Sequence, residues 1–307
     1  MLRRVCKLRF LTPVRFGADH SGSELGGVRM AARADTLYSA LFLAMLQAKK
    51  EAAFQLAAEE GRLRFSDTLP RRGETLYIPR PMGLFGDPVK TEDPSARKKW
   101  KRIEYVPIGG LKDYLNGTAS PEELTEPFGL PFEVTRVNTR DYEENMPYQV
   151  PGFRFFDGCG SYFIAEAADE AALGLAEEAI RLLQGNGFGG RASSGWGKFT
   201  YSLEEPEPAL NAMLENENAP VQLLLSCAFP AREEAAVLED ACFSLCRRGG
   251  YSGELAGMPS KKQTVYLISA GSAFSRRFDG CILNAAGNTG HPVWRYAKAM
   301  FLGVSRE

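Results

Sequence analysis

Between Gly185 and Phe199 the sequence reads GNGFGGRASSGWGKF, with six glycines in its first thirteen positions. Such a stretch leaves backbone N–H groups without side-chain cover, so another chain can come close to it. Ser193 and Ser194 add hydroxyls, Arg191 and Lys198 add positive charge, and Trp196 adds an aromatic face. Those parts suit a sugar-phosphate backbone: donors and cations take phosphates, and an indole stacks on a base. The competing reading is a turn that packs a helix onto a sheet, with Trp196 in the core. Spacing alone does not separate the two.

Two nucleotide motifs come close and fail. Gly190 and Gly195 are spaced as in a P-loop, but Trp196 stands where that loop needs Lys, and no Ser or Thr follows Lys198. Gly187, Gly189 and Ala192 match the permissive GxGxxA pattern, which must leave a strand and open a helix for pyrophosphate to meet the helix N-terminus. Here the loop leaves an amphipathic helix, 169–184, with Gly185 placed as its glycine cap, and enters the strand KFTYSL.

Other chemistry is thinner. RKKWKR, 97–102, sets Lys98, Lys99, Lys101 and Arg102 around Trp100, which suits phosphate neutralisation with base stacking, or simply a solvated charge run. Arg71 and Arg72 read as turn residues, and Arg276 and Arg277 suit RNA or a protein partner equally. The two histidines are His20 and His291; His20 lies in a glycine-rich loop and is the one candidate general base for cutting RNA. Two His and six scattered Cys without paired spacing supply no standard zinc site, and the sequence points to no metal and no cofactor.

The elements that must position these residues follow from periodicity. RVCKLRFL, 4–11, alternates as a half-buried strand; Asp35 then precedes Leu37, Leu41, Ala44, Met45 and Ala48 on one helix face, as an N-cap would. RLRFSDTLPRRGETLYIPRP gives two extended segments about an Arg-Arg-Gly turn, and FEVTRVNTR and GSYFIAEA are strand-like. The order strand, helix, strands, helix, loop, strand is the βαββαβ layout of a ferredoxin-like unit. Residues 82–132 show weak periodicity and read as an irregular insertion.

From Phe199 to Ala231 there are five acids and no Lys or Arg, and 204–220 holds three prolines, so that stretch reads as a connection. Beyond it VQLLLSCAF predicts a strand, EEAAVLEDACFSLCRR a helix and KKQTVYLISAGSAF a strand with a turn. The expected fold class is α+β, with two ferredoxin-like (RRM-like) domains. The first spans 1–203 with the insertion and the glycine loop at 185–198, and the second, reduced, spans 221–307. A length of 307 residues agrees with two domains. With 37 basic against 38 acidic residues no global field announces nucleic acid, so RNA would have to meet local patches. No signal-peptide core and no run of eighteen apolar residues occurs, which makes the cytoplasm the expected compartment and a membrane no partner.

GFGGRASSGWGKF resembles the glycine-rich loop of the RAMP superfamily, the RNA-binding proteins of CRISPR systems. FLTPVRFGADHSGSELGG, ARADTLYSALF, FSDTLPRRGETLYIPRP and the tail GHPVWRYAKAMFLGV narrow the resemblance to the fourth Csm subunit of type III-A effector complexes. That resemblance implies a non-catalytic subunit that grips the repeat-derived 5′ tag of the CRISPR RNA (crRNA). It also implies docking to the large Cas10-type subunit beside a RAMP backbone subunit. Carried over by position, Gly187, Gly189, Gly190, Arg191, Ser193, Ser194, Gly195, Trp196 and Lys198 should lie along the RNA, with Arg15, His20, Asp35, Thr36 and Ser39 approaching from the same side. The stretch VRFG has Arg15 where a His is expected, which removes one candidate catalytic His. The alternative is a RAMP endoribonuclease acting on precursor crRNA with His20 as base.

Overall fold

The computed structural model describes residues 1–17, 27–83, 94–138, 146–251, 261–287 and 291–305. Strand β1 (Leu2–Phe10) is followed by two short strands that pair with each other, β2 (Phe16–Gly17) and β3 (Val28–Arg29), and by helices α1 (Ala34–Gln47) and α2 (Glu51–Glu59). Next come β4 (Leu63–Phe65), β5 (Leu69–Arg72) and β6 (Thr75–Pro79), with the predicted turn closed by Gly73 at φ +56°. Then follow α3 (Pro94–Arg102), β7 (Tyr105–Pro107), α4 (Leu111–Asn116) and α5 (Pro121–Leu124). A long hairpin of β8 (Gly129–Asn138) and β9 (Met146–Phe155) leads to β10 (Cys159–Ala167), α6 (Glu170–Asn186) and β11 (Phe199–Glu204).

The sheet runs β11–β1–β10–β5–β6–β7, with β4 also on β10, and its pairings are antiparallel. β1 lies between β10 and β11, so that Val5 faces Ile164 on one side and Glu204 on the other. The four positions β11–β1–β10–β4/β5, with α1 and α6 between them in the chain, give the βαββαβ topology expected of the first half. One face of this sheet (Cys6, Leu8, Phe163, Ala165) packs on Leu37, Leu41, Ala176 and Ile180 of the helices. α6 begins as the sequence predicts, Asp169 capping Ala172 N at 2.8 Å, but runs two residues further, and Gly187 at φ +79° closes it instead of Gly185.

The opposite face is also covered. Val5, Tyr162 and Ile164 pack against Leu210 and Leu214 of α7 (Pro208–Glu215) and against β12 (Val221–Leu224) and β18 (Phe301–Val304). The acidic connection is therefore a seated helix. Each such buried leucine is worth about 1.5–3 kcal/mol, enough to hold α7 in place. The stretch 82–132 is likewise less irregular than its periodicity suggests. β7 extends the sheet beside β6, and Ile103, Val106, Leu111, Tyr114 and Leu115 join the same core.

Beyond β12 the sequence expectation needs correction. The helix predicted over 233–248 is a 3-10 turn (Arg232–Leu238) followed by β13 (Leu245–Arg248). Tertiary contacts override local propensity there. The Glu234 carboxylate accepts from Ala231 N, Asp279 N and Gly280 N, and Cys242 exchanges two backbone hydrogen bonds of 2.9 Å with Ala273. The remaining strands are β14 (Val265–Ile268) on β13, β15 (Ala273–Phe274) on β12, and β16 (Gly280–Asn284) on β17 (Trp294–Lys298). Among the described residues after Glu215 there is no α-helix, so they do not repeat the ferredoxin-like layout of the first half. The halves share their cores: Cys227, Cys246, Leu267 and Tyr296 pack in one cluster with α1 and α6.

Candidate nucleic-acid interface

The glycine loop is pinned against the segment that enters β2. Gly190 N donates to Arg15 O at 2.8 Å, Gly197 N to Pro13 O at 2.7 Å and Lys198 N to Thr12 Oγ1 at 2.9 Å. Within the loop Phe188 N donates to Gly197 O at 2.9 Å, and the Phe188 ring is fully buried beside Phe16, with ring centroids 4.8 Å apart. Glycine is required by space at Gly197, where a Cβ would lie 2.1 Å from Phe188 O. At Gly195 the space is open, and only the left-handed backbone, φ +83°, calls for glycine.

The two readings of the loop divide its residues between them. Trp196 belongs to the core: it is 8% exposed and packs on Phe132 of β8 with centroids 5.5 Å apart. It cannot offer a face to a base, which corrects its assignment as a stacking residue. Ser193, Ser194 and Lys198 are exposed, and Arg191 is half-buried. Arg191 holds a left-handed backbone, φ +69°, rare for a residue with a Cβ. Its guanidinium lies 5.6 Å from the Tyr148 ring centroid and 3.3 Å from the Tyr148 hydroxyl. Sequence reading missed Tyr148, because only the β8–β9 hairpin brings it to the loop.

The Arg15 side chain lies against Gly190, the residue before Arg191. Burial and the neighbouring Arg191 charge both hold the Arg15 guanidinium below its ordinary pKa. Two like charges held together favour an anion beside them. His20 lies outside the described residues.

The start of α1 serves a different purpose from the one predicted. Arg33, not Asp35, occupies the N-cap position, and the cap hydrogen bond comes from elsewhere: Asp67 Oδ1 accepts from Ala34 N at 2.7 Å. Asp35 is fully buried, bound by Arg248 Nη2 at 2.9 Å and by Arg295 Nη1, while Thr36 Oγ1 accepts from Arg248 Nη2 at 2.8 Å. Burial alone would raise the Asp35 carboxyl, but the two guanidiniums outweigh it and hold it at about 2. Asp35 and Thr36 thus tie α1 to β13 and β17 and do not face a ligand; Ser39 is half-buried one turn on. The signal for the partners was the alternation in LCRR, which puts Cys246 and Arg248 on one inward face.

In α3, Lys98, Lys101 and Arg102 are exposed and Lys99 pairs with Glu122 at 2.6 Å. Trp100 turns inward onto Tyr114, centroids 5.7 Å apart, so it too is a packing residue. Arg277 is held by Gln222 Oε1 at 2.6 Å and Leu214 O at 2.9 Å, a structural role. Among the described residues no group of three His, Cys, Asp or Glu is placed to hold a metal ion, and no helix is long and apolar enough to cross a membrane.

Residues 217–304 match the family model described as CRISPR Csm4 C-terminal domain. The chain is 31% identical over 299 residues to a Mycobacterium tuberculosis protein described as "CRISPR system Cms protein Csm4", covering 94% of this chain and 95% of that one. It is 28% identical over 298 residues to the protein of the same description from Streptococcus thermophilus, covering 93% and 95%. In fold it is similar to a chain of a Csm3–Csm4 subcomplex of the type III-A CRISPR-Cas interference complex, with a TM-score of 0.68, 16% identity and coverage of 99% and 100%. A chain of a Csm1–Csm4 cassette bound to pppApA gives a TM-score of 0.63 at 20% identity, with coverage of 99% and 98%.

Proposed function

The chain belongs to the Csm4 family, and from that premise we propose that it is a non-catalytic RNA-holding subunit of a type III-A CRISPR interference complex. In this reading it grips the repeat-derived 5′ tag of the crRNA and docks both a large Cas10-type subunit and an adjacent RAMP backbone subunit. The related chains named in Csm1–Csm4 and Csm3–Csm4 assemblies support the two protein partners.

One observation carries the RNA reading: the Arg15 side chain lies against Gly190, the residue before Arg191, in a loop that also exposes Ser193, Ser194 and Lys198. Phosphates of a single strand are the anions this arrangement fits, since the hydroxyls and cations follow one another along the loop. The sheet face that RRM-type proteins use for stacking bases is here filled by α7, β12 and β18. RNA must therefore be held from loops at the edge of the sheet.

Arg191→Ala combined with Lys198→Ala tests the assignment in the assembled complex. RNA retention should weaken, and its dependence on log salt should become shallower by about 1.4, the loss of two single-strand phosphate contacts. A folded double variant that retains RNA as wild type does at every salt concentration contradicts the loop assignment.

A further inference from the structure

The β8–β9 hairpin is seated on the glycine loop at two places. Near its base Phe132 packs on Trp196, and Gly152, the cross-strand partner of Phe132, makes the room. A Cβ at Gly152 would lie 2.6 Å from Trp196 Cζ3 and 2.7 Å from Phe132 Cζ. Val14, in the segment to which the loop is pinned, pairs with Phe153 by two backbone hydrogen bonds of 2.9 Å. Tyr148 stands four residues before Gly152, on the same face of β9 and about 13 Å further out along the strand. There it meets Arg191.

The backbone of Arg191 is fixed by the loop itself, since its carbonyl accepts from Ser194 N at 2.9 Å and from Trp196 N at 3.2 Å. Its side chain is fixed by the hairpin. Among the described residues Tyr148 supplies the one side-chain hydrogen bond to Arg191, and no carboxylate pairs with it. A guanidinium is attracted to the face of an aromatic ring, and one paired this way keeps most of its N–H donors for an anion. A long side chain that is held in place before it binds loses less freedom on binding.

We propose that Tyr148 is a positioning residue, which holds the Arg191 guanidinium ready for a phosphate of the strand. The hairpin as well as the loop then sets how firmly RNA is held. The inference rests on the RNA-holding reading above and adds a residue that acts through Arg191. Tyr148 is 39% exposed, so trimming it opens no cavity in the core. The ring, more than the hydroxyl, is the device: at 3.3 Å the hydroxyl contact is long for a hydrogen bond. A residue that merely kept the hairpin folded would act equally with or without Arg191.

The test is a double-mutant cycle on the complex assembled with its own RNA, read as the rate at which RNA leaves after a jump to high salt. Tyr148→Leu should speed release about two- to fivefold, the worth of a cation–ring contact at an exposed site. Tyr148→Phe keeps the ring and should release RNA as wild type does. Placed on Arg191→Ala, Tyr148→Leu should add nothing. If it speeds release equally in both backgrounds, Tyr148 acts on RNA or on the fold by itself, and the inference is overturned while the loop assignment stands. The same holds if Tyr148→Leu alone releases RNA as wild type does while Arg191→Ala releases it faster. If Arg191→Ala changes nothing, the loop assignment falls and the inference with it.

Discussion

At the scale of single residues, Arg191 is where backbone strain and the proposed RNA contact meet. A left-handed backbone costs a residue with a Cβ about 1–2 kcal/mol, and a glycine in its place loses roughly 0.5–1 kcal/mol in entropy. Arg191→Gly should leave resistance to denaturant unchanged or raise it by up to about 1 kcal/mol. RNA retention in the complex should fall to the level of Arg191→Ala. A clear loss of stability in Arg191→Gly would mean that the Tyr148 contact is structural and that the strain serves the fold. Strain kept where glycine is abundant on both sides is what a binding residue shows, because five neighbours in the loop already adopt whatever backbone is needed.

At the scale of elements, most of the first half was legible. Alternation found β1, the strand-like run GSYFIAEA found β10, the turn chemistry found β5 and β6, and the amphipathic pattern over 169–184 found α6, because in each the local pattern and the final packing agree. The glycine loop's conformation was legible as a type but not in its division of labour. Trp196 and Trp100 both look like stacking residues beside cations, and both are drawn into the core by residues distant in sequence, Phe132 and Tyr114. The stretch 233–248 reads as a helix and is not one, since its backbone pairs with Ala273 and with β14, which single-chain periodicity cannot foresee. Asp35 was placed by the RNA only through the resemblance, its own pattern reading as an N-cap; its two guanidinium partners lie 213 and 260 residues away.

That buried triad fastens α1 to β13 and β17, and it makes a prediction about elements. Removing one partner of a buried ion pair typically costs about 3–5 kcal/mol, so Asp35→Asn should lower stability at neutral pH by that order. The sign of the pH effect follows from the depressed carboxyl. Its contribution is complete above the ordinary carboxylate value of 3.8 and is lost as pH falls towards about 2. Asp67 acts in the opposite sense, since burial raises its carboxyl against Arg33 and two backbone donors. The difference between wild type and Asp35→Asn isolates the triad. Measured by denaturant titration, that difference should be flat from neutral pH to about pH 4 and shrink below it. A difference that stays constant down to pH 2 would show that the carboxylate charge is not what holds these elements together.

At the scale of the whole molecule, both faces of the central sheet are buried, one by α1 and α6 and the other by α7, β12 and β18. The central sheet therefore has no open face to read bases, and the glycine loop with Arg191 and Lys198 is the edge at which the proposed strand would be held. A near-neutral total charge fits a subunit that holds one strand locally and meets protein over the rest of its surface. The central claim is that the strand is the 5′ tag of a crRNA, and it can be read directly. Cells that make the chain with an affinity tag are irradiated with ultraviolet light, and the chain is purified under denaturing conditions so that only RNA crosslinked to it remains. Its 5′ ends and crosslink positions are then sequenced. The account predicts one short 5′ sequence shared by all the RNAs, followed by varied spacer sequence, with the crosslinks inside the shared part. Crosslinks confined to the spacer, or uncut precursor RNA, or no RNA at all would contradict it.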